Sequence, residues 1–353
     1  MVLAHLFAWL LLPALVVGLG LDEHGQVGAV GQLPADVAAV AAGGQHAAAL
    51  TSGGIVWTWG ANRDGQLGSG SADAAERTVP ASLAAPGHIV GVAAGYFHTL
   101  ALDESGRVWS WGDDSYGQLG YAAGRCAGVV LCSAEPRAVD GVGGVVQVAA
   151  GFNHSLALAR DGRVWAWGNG REGQLGDGER DEGPAPREVP LPVPARAVAA
   201  GGSQSLALGA DGSVWAWGAV DAHRTFVLQP RRVEGVPAAA AIAVGEHHAL
   251  ALTVDGAVWA WGDDQYGQLG RPPGAESPAP VPGLPAIAAI AAGNNHNAAL
   301  AADGSVWVWG GDDDGPWDVA LHPERRAPMR LEGVPKARAV GIGPQQLYLI
   351  VGE

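Results

Sequence analysis

Five histidines, His46, His98, His154, His248 and His296, each stand three residues after a glycine, and Gln204 and Gln346 hold the same place in two further segments. Imidazole is the side chain that most often ligates metals and moves protons near neutral pH. A ring of ligands about an axis is therefore the functional reading. Zinc or another transition metal needs donor atoms at ~2 Å, and equivalent positions of separate repeats do not converge so tightly. Glutamine at two of the seven places fits hydrogen bonding instead, because both side chains donate and accept. The five histidines are expected to be structural, each tying one strand to a neighbouring loop.

Paired acids follow several Trp-Gly steps: Asp113-Asp114, Asp263-Asp264 and Asp312-Asp313-Asp314. Such groups can hold calcium or divide acid and base duties. Asp is also a favoured turn residue, and other copies carry Ala-Asn, Asn-Gly or Ala-Val there. Turn chemistry is the expectation, with calcium kept open at Asp312–Asp314. No nucleophile elbow, phosphate-cradling glycine loop or H-E-x-x-H occurs, so no catalytic residue, resident metal or cofactor is expected. Cys126 and Cys132 lie in an insert, Tyr121–Asp140, that stands apart from the surrounding pattern. In a glycine-containing surface loop a disulfide is favoured over a free thiol pair, and it would imply an oxidising compartment. Two cysteines cannot supply a four-thiolate zinc site or a disulfide-dense scaffold.

What positions these residues is a repeat. V-A-A-G-x-x-H-x-x-A-L, a short turn, V-W-x-W-G, four residues and G-Q-L-G run from Val40 to Gly68, and return from Val92 to Gly120 and from Val148 to Gly176. The copy from Val198 loses G-Q-L-G, the copy from Ile242 to Gly270 is complete, and the copy from Ile290 ends in Gly315-Pro316-Trp317-Asp318. The lead glycines, 43, 95, 151, 201, 245, 293 and 343, are spaced 52, 56, 50, 44, 48 and 50 residues apart. Each apolar stretch is too short for a helix. Pairs such as Ser105-Gly106 and Asp161-Gly162 suit a two-residue hairpin. The two indoles of W-x-W share one strand face, and twelve of the fourteen Trp stand in such pairs, which reads as packing between units rather than one cofactor site. Proline-bearing stretches such as Thr78-Val79-Pro80 fit an outer edge strand. Four strands per unit predict a propeller blade.

The termini complete the count. Leu15–Gly20 aligns with Ile55–Gly60, and Gly25–Gly28 with Gly65–Gly68, while the last residues hold only the first half of a unit. The fold class predicted is all-β: a seven-bladed β-propeller of four-stranded blades, its last blade closed by N- and C-terminal strands together, which removes two strand edges. With these His, Trp-Gly and Gly-Gln-Leu-Gly marks, residues 15–353 resemble the regulator of chromosome condensation family. The resemblance implies a seven-bladed propeller. It also brings nucleotide exchange on a small GTPase, the namesake's activity, although only blade marks are matched and the namesake's basic tail has no counterpart in these residues. Secreted members, among them a β-lactamase-inhibitory protein, add an enzyme-inhibitor reading.

Composition bounds the partners. Thirty-five acidic against 20 basic residues, a net charge of −15, argue against broad contact with nucleic-acid phosphates. Hydrophobic residues at 48% and charged residues at 16% leave room for a large core. No apolar run of 18 residues occurs past residue 20. Residues 1–14 resemble a secretory leader lacking both the basic flank and a clear cleavage site; a leader at 1–14, one domain at 15–353 and export are expected, with a cytoplasmic protein as the alternative. The leading function is a monomeric, non-catalytic scaffold that binds a protein partner through loops between blades. Those loops vary where the strands do not. Arg171, Arg224, Arg231, Arg232, Arg325 and Arg326 are the candidate contacts for an acidic partner.

Overall fold

The computed structural model describes residues 15–20, 22–27, 30–84, 86–126, 130–220, 225–274, 277–311 and 323–352. The candidate leader, Arg224 and Asp312–Asp314 lie outside the described residues. Seven antiparallel sheets form a ring of blades. Blade 1 pairs Val37–Ala42, His46–Thr51, Val56–Gly60 and Arg77–Ser82 in chain order from the axis outward. Blades 2 to 6 repeat this plan from innermost strands beginning at Ile89, Val145, Ala195, Ala239 and Ile287. Blade 7 joins the ends: Ala337–Ile342 pairs with Gln346–Val351, which pairs with Leu15–Gly20, Leu15 opposite Val351 and Gly20 opposite Gln346.

Alternation explains the packing. Each blade buries one seam against the blade before it, and the W-x-W pair lies in that seam, as in the cluster of Leu156, Leu158 and Val164 with Val198 and Trp217. At the ring closure Val16, Tyr348 and Ile350 of blade 7 meet Val37, Ala47, Ala49 and Trp59 of blade 1. In blade 7 itself Val17 and Leu19 take the places of the two tryptophans. The second indole of each pair is buried and the first is half-buried. Burying one such ring contributes about 4–6 kcal/mol as an upper bound.

Three features depart from the sequence expectation. Blade 7 has three described strands, not four, because the chain between Gly28 and Val37 is too short for an outer strand and holds a 3-10 turn, Val30–Gln32. Blade 2 has five: Gly124–Cys126 pairs with the upper part of the regular fourth strand, Val130–Ala138, as an extra edge. The turns before each V-W are three-residue loops, not two-residue ones. Asp103 N–H donates to the Arg107 carbonyl at 3.0 Å, and only Gly106 takes a positive φ, of 82°, the left-handed residue such a loop requires. Outer strands in blades 5 and 6 shrink to Ala279–Pro280 and Met329–Arg330. Among the described residues no helix is long and apolar enough to cross a membrane.

Candidate functional site

Two kinds of polar residue need placing: those repeated in each blade and those that differ. The repeated ones form a relay across the seams. His98 sits in the second strand of blade 2, with its Nε2 3.0 Å from the Ser155 hydroxyl of blade 3. Ser155 donates to the Gln118 main-chain carbonyl of blade 2 at 2.9 Å, and Trp167 Nε1–H donates to the same carbonyl at 2.9 Å. A serine has one proton to give, so the Nε2–H of His98 is the donor to Ser155, and the imidazole is neutral. The pattern repeats as His46 to Thr99 at 2.8 Å, His154 to Ser205 at 2.9 Å and His248 to Asn297 at 2.7 Å. These four imidazoles therefore bond to strands of the next blade, not to neighbouring loops. The Gln side chain closes the corner, since Gln118 Oε1 accepts the Tyr116 N–H at 2.9 Å.

The remaining members follow a rule that the sequence reading missed. In four seams the residue just after the His or Gln position is the partner of the preceding blade's histidine, Thr99, Ser155, Ser205 and Asn297, whereas in the seam that follows His296 that residue is Leu347. Where it is Ala249 or Ala47, the preceding blade carries Gln204 or Gln346 instead of His. Those two buried amides meet no protein partner among the described residues, so the hydrogen-bonding role expected of them is not seen. The sequence carries part of this signal: a polar residue follows in four of the histidine seams and alanine in both glutamine seams, with Leu347 after His296 the exception.

Burial holds all five imidazoles neutral. His46 and His248 are pushed down to about 4, and His98, His154 and His296 to about 3, with burial the leading cause in each. For His98 the neighbouring His46 and His154 add to the depression. A second proton would go to Nδ1, which at His46, His98, His154 and His248 faces no acceptor. Instead each ring lies against the lead glycine of its own blade, where a Cβ on Gly95 would also fall 2.6 Å from the Gly151 carbonyl.

The acids are turn residues where described. Asp113 accepts the Ser115 N–H at 3.1 Å and the Gln118 amide at 2.6 Å; Asp114 accepts from the Leu119 and Ala123 N–H groups at 3.0 and 3.1 Å. Asp264 accepts the Leu269 N–H at 3.0 Å in the same way. Burial first, and then Asp113, raise Asp114 to about 6 despite the two backbone donors. Among the described residues no three His, Cys, Asp or Glu side chains are placed to hold a metal.

The insert and several of the residues that differ between blades lie on one face. The turns between first and second strands and the loops between third and fourth strands share it, joined by bonds such as Asp113 N–H to the Phe97 carbonyl at 3.0 Å. Cys126 and Cys132 form a disulfide with Cα atoms 5.6 Å apart, bridging the extra hairpin of blade 2. That hairpin stands on this face, because Cys132 lies opposite Asp113 and Leu131 is exposed. Arg171 is here too. It is paired with Glu182 at 2.6 Å and lies 5.5 Å from the centre of the Tyr116 ring. Arg326 donates to the Asp264 and Gln265 carbonyls at 3.3 and 2.6 Å, anchoring one loop to the next. Arg325 shares its 3-10 turn, Pro323–Arg326. Arg231 and Arg232 are exposed but lie towards the opposite face, facing Ala216 and Trp215. The candidate arginines are thus not brought together.

Comparison with known proteins follows this geometry. The model of the RCC1-like domain matches residues 15–349. Over 159 residues, 44% of this chain, the sequence is 38% identical to the Ultraviolet-B receptor UVR8 of Arabidopsis thaliana, of which the matched part makes up 35%. The match thus spans little over a third of that relative's length. The solved structure of human WBSCR16 superposes with a TM-score of 0.79 at 27% identity, covering 89% of this chain and 86% of that one. Prp20p of Saccharomyces cerevisiae, described with its binding properties to Gsp1p and histones, superposes with a TM-score of 0.81 at 25% identity, covering 97% and 92%.

Proposed function

The chain belongs to the RCC1-like domain family, and from that premise we propose that it is a non-catalytic scaffold that binds a protein partner on the face bearing the disulfide hairpin. The observation that carries this reading is the hairpin itself. The strands repeat from blade to blade, yet among the described residues only blade 2 extends its sheet, with Gly124–Cys126, and staples the addition through Cys126–Cys132. A covalent bridge restricts the unbound hairpin, so less entropy is lost on binding. The repeat histidines serve the frame: His46, His98, His154 and His248 each bond the next blade through Nε2, and burial keeps all five neutral. Arg171 and Glu182 would flank the contact, with Arg231 and Arg232 on a separate surface. Binding of Gsp1p and histones by Prp20p supports a protein partner as the class.

Affinity capture with the whole chain, against a variant in which residues 124–132 are replaced by a short Gly-Ser turn, tests the proposal. A partner retained by the first and lost by the second, with both equally folded, is expected. A second reading, nucleotide exchange on a small GTPase, is favoured by the fold match to the Gsp1p-binding Prp20p; accelerated nucleotide release from a small GTPase would establish it. The disulfide favours an oxidising compartment, and with it export and the inhibitor variant of the scaffold reading.

A further inference from the structure

We propose that the outer edge of blade 7, Leu15–Gly20, is a docking site for an extended Pro-x-x-Val or Pro-x-x-Leu segment of a partner polypeptide, laid antiparallel to it as the strand that blade 7 lacks. In the other six blades the third strand is paired on its outer side by a fourth. Leu15–Gly20 holds the third-strand place in blade 7, and among the described residues no strand pairs with its outer side. Burial differs accordingly. The third to fifth residues of Val56–Gly60 are buried, as are those of the matching strands in blades 2 to 6. Gly18, Leu19 and Gly20 are only half-buried, and Leu15 is exposed. An unpaired row of N–H and C=O groups is a template for another strand. The 3-10 turn Val30–Gln32 supplies none; its Val30 packs beside Val16 in the seam with blade 1.

The six existing fourth strands show what such an edge accepts. Each carries a proline three residues before Val or Leu: Pro80 to Leu83, Pro136 to Val139, Pro186 to Val189, and the same from Pro230, Pro278 and Pro328. The residue after the proline lies opposite the middle of the third strand, as Ala81 does to Thr58 and Arg187 to Ala166. Gly18 holds that place in blade 7. The closing Val or Leu donates its N–H to the carbonyl that starts the third strand, Leu83 to Val56 at 2.8 Å and Val139 to Val108 at 2.9 Å. Val16 holds that place in blade 7. In blades 1 to 4 the proline falls where the register shifts, so its missing N–H leaves no ladder bond unmade. Ahead of Val37 the chain has Gly28 and Gly31 at the two key positions, so its own sequence does not fill the edge in the usual way. Charge and sequence select a partner as the occupant. Arginine follows the proline in blades 2, 3 and 4, while residues 15–37 hold three acids and no Lys or Arg, with Asp22 and Glu23 exposed just past the edge. The only proline in residues 1–14 is Pro13, too near Leu15 to fold back opposite Gly18. A second copy brings the same net charge of −15. The site lies on the outer rim and stands independently of the hairpin reading.

The test adds acetyl-Gly-Pro-Ala-Pro-Arg-Glu-Val-Pro-Leu-amide, the sequence of residues 183–191, to the full chain and follows calorimetry and amide exchange. Binding with a Kd of about 1 mM or tighter is expected, with exchange slowed in Leu15–Gly20. N-methylation of the valine nitrogen removes the donor to Val16 and should weaken binding about tenfold. Glu23→Lys in the chain should weaken it about threefold at low salt with the melting temperature unchanged. The proposal is overturned if the N-methylated peptide binds as well as the parent, if nothing binds at about 5 mM, or if protection appears in another blade instead. Binding seen only after removal of residues 1–14 would give the edge to the chain's own segment, and self-association that the peptide competes away would give it to a second copy; either result also overturns it.

Discussion

His98 and Ser155 lie 57 residues apart in the chain and 3.0 Å apart across a blade seam. The bond is buried at both ends, so Ser155→Ala strands an N–H and an expected cost of about 1–3 kcal/mol follows. The natural seams supply a rescue: Gln204 faces an alanine position and Gln346 another. The pair His98→Gln with Ser155→Ala is therefore expected to be less damaging than the sum of the single changes. A double-mutant cycle in urea measures the coupling; strict additivity would show that the two side chains do not act as a unit.

Acid sensitivity should be pronounced, and its sign follows from the histidines. Unfolded imidazole titrates near 6.5, whereas the five folded ones lie at about 3 to 4. Between these values the unfolded chain binds more protons, so stability is fully present above pH ~6.5 and is lost as pH falls through the window. At pH 5 each imidazole costs about 2 kcal/mol, and five together approach the roughly 5–15 kcal/mol total of a domain. Asp114, raised to about 6, and Asp64 and Asp264, also raised by burial, work in the opposite direction but are fewer than the histidines. Unfolding free energies measured at pH 7, 6 and 5 should fall steeply, and His154→Gln should flatten the slope by about one proton. A flat profile above pH 5 would contradict the buried neutral state.

Close approach at the axis makes one glycine far less replaceable than another. Gly95→Ala places a methyl group in the His98 ring and against the Gly151 carbonyl, an overlap expected to cost about 3 kcal/mol or more. Gly143, in a connecting loop, has open space round the same position, and its change to alanine should be neutral or slightly stabilising. Melting temperatures of the two variants report the difference.

Much of this was legible from the chain itself. The ring, its seven blades and the closing pair of Leu15–Gly20 with Gln346–Val351 follow from the repeat, because strand periodicity and a long self-similar pattern leave few alternatives. Less legible was what the repeat residues touch. Partnership between His98 and Ser155 is a contact between blades, and nothing local in the sequence points from one to the other. Loop geometry was misjudged for a related reason: Ser105-Gly106 fits two turn types, and only the bond from Asp103 to Arg107 decides between them.

The disulfide should act locally. Cys126 and Cys132 are six residues apart, and in a chain-entropy estimate so short a loop constrains the unfolded chain by about 2 kcal/mol, confined to a hairpin outside the blade seams. Reduction is expected to raise amide exchange in Gly124–Cys126 while the ring melts within a few degrees of its oxidised temperature. Global unfolding on reduction would instead make the bridge part of the frame.

The scaffold account is tested most directly by quantitative affinity capture with the parent chain and with the variant lacking residues 124–132, at matched melting temperatures. The account predicts a protein retained in near-stoichiometric amount by the parent and lost with the hairpin. The same proteins held equally by both would contradict it.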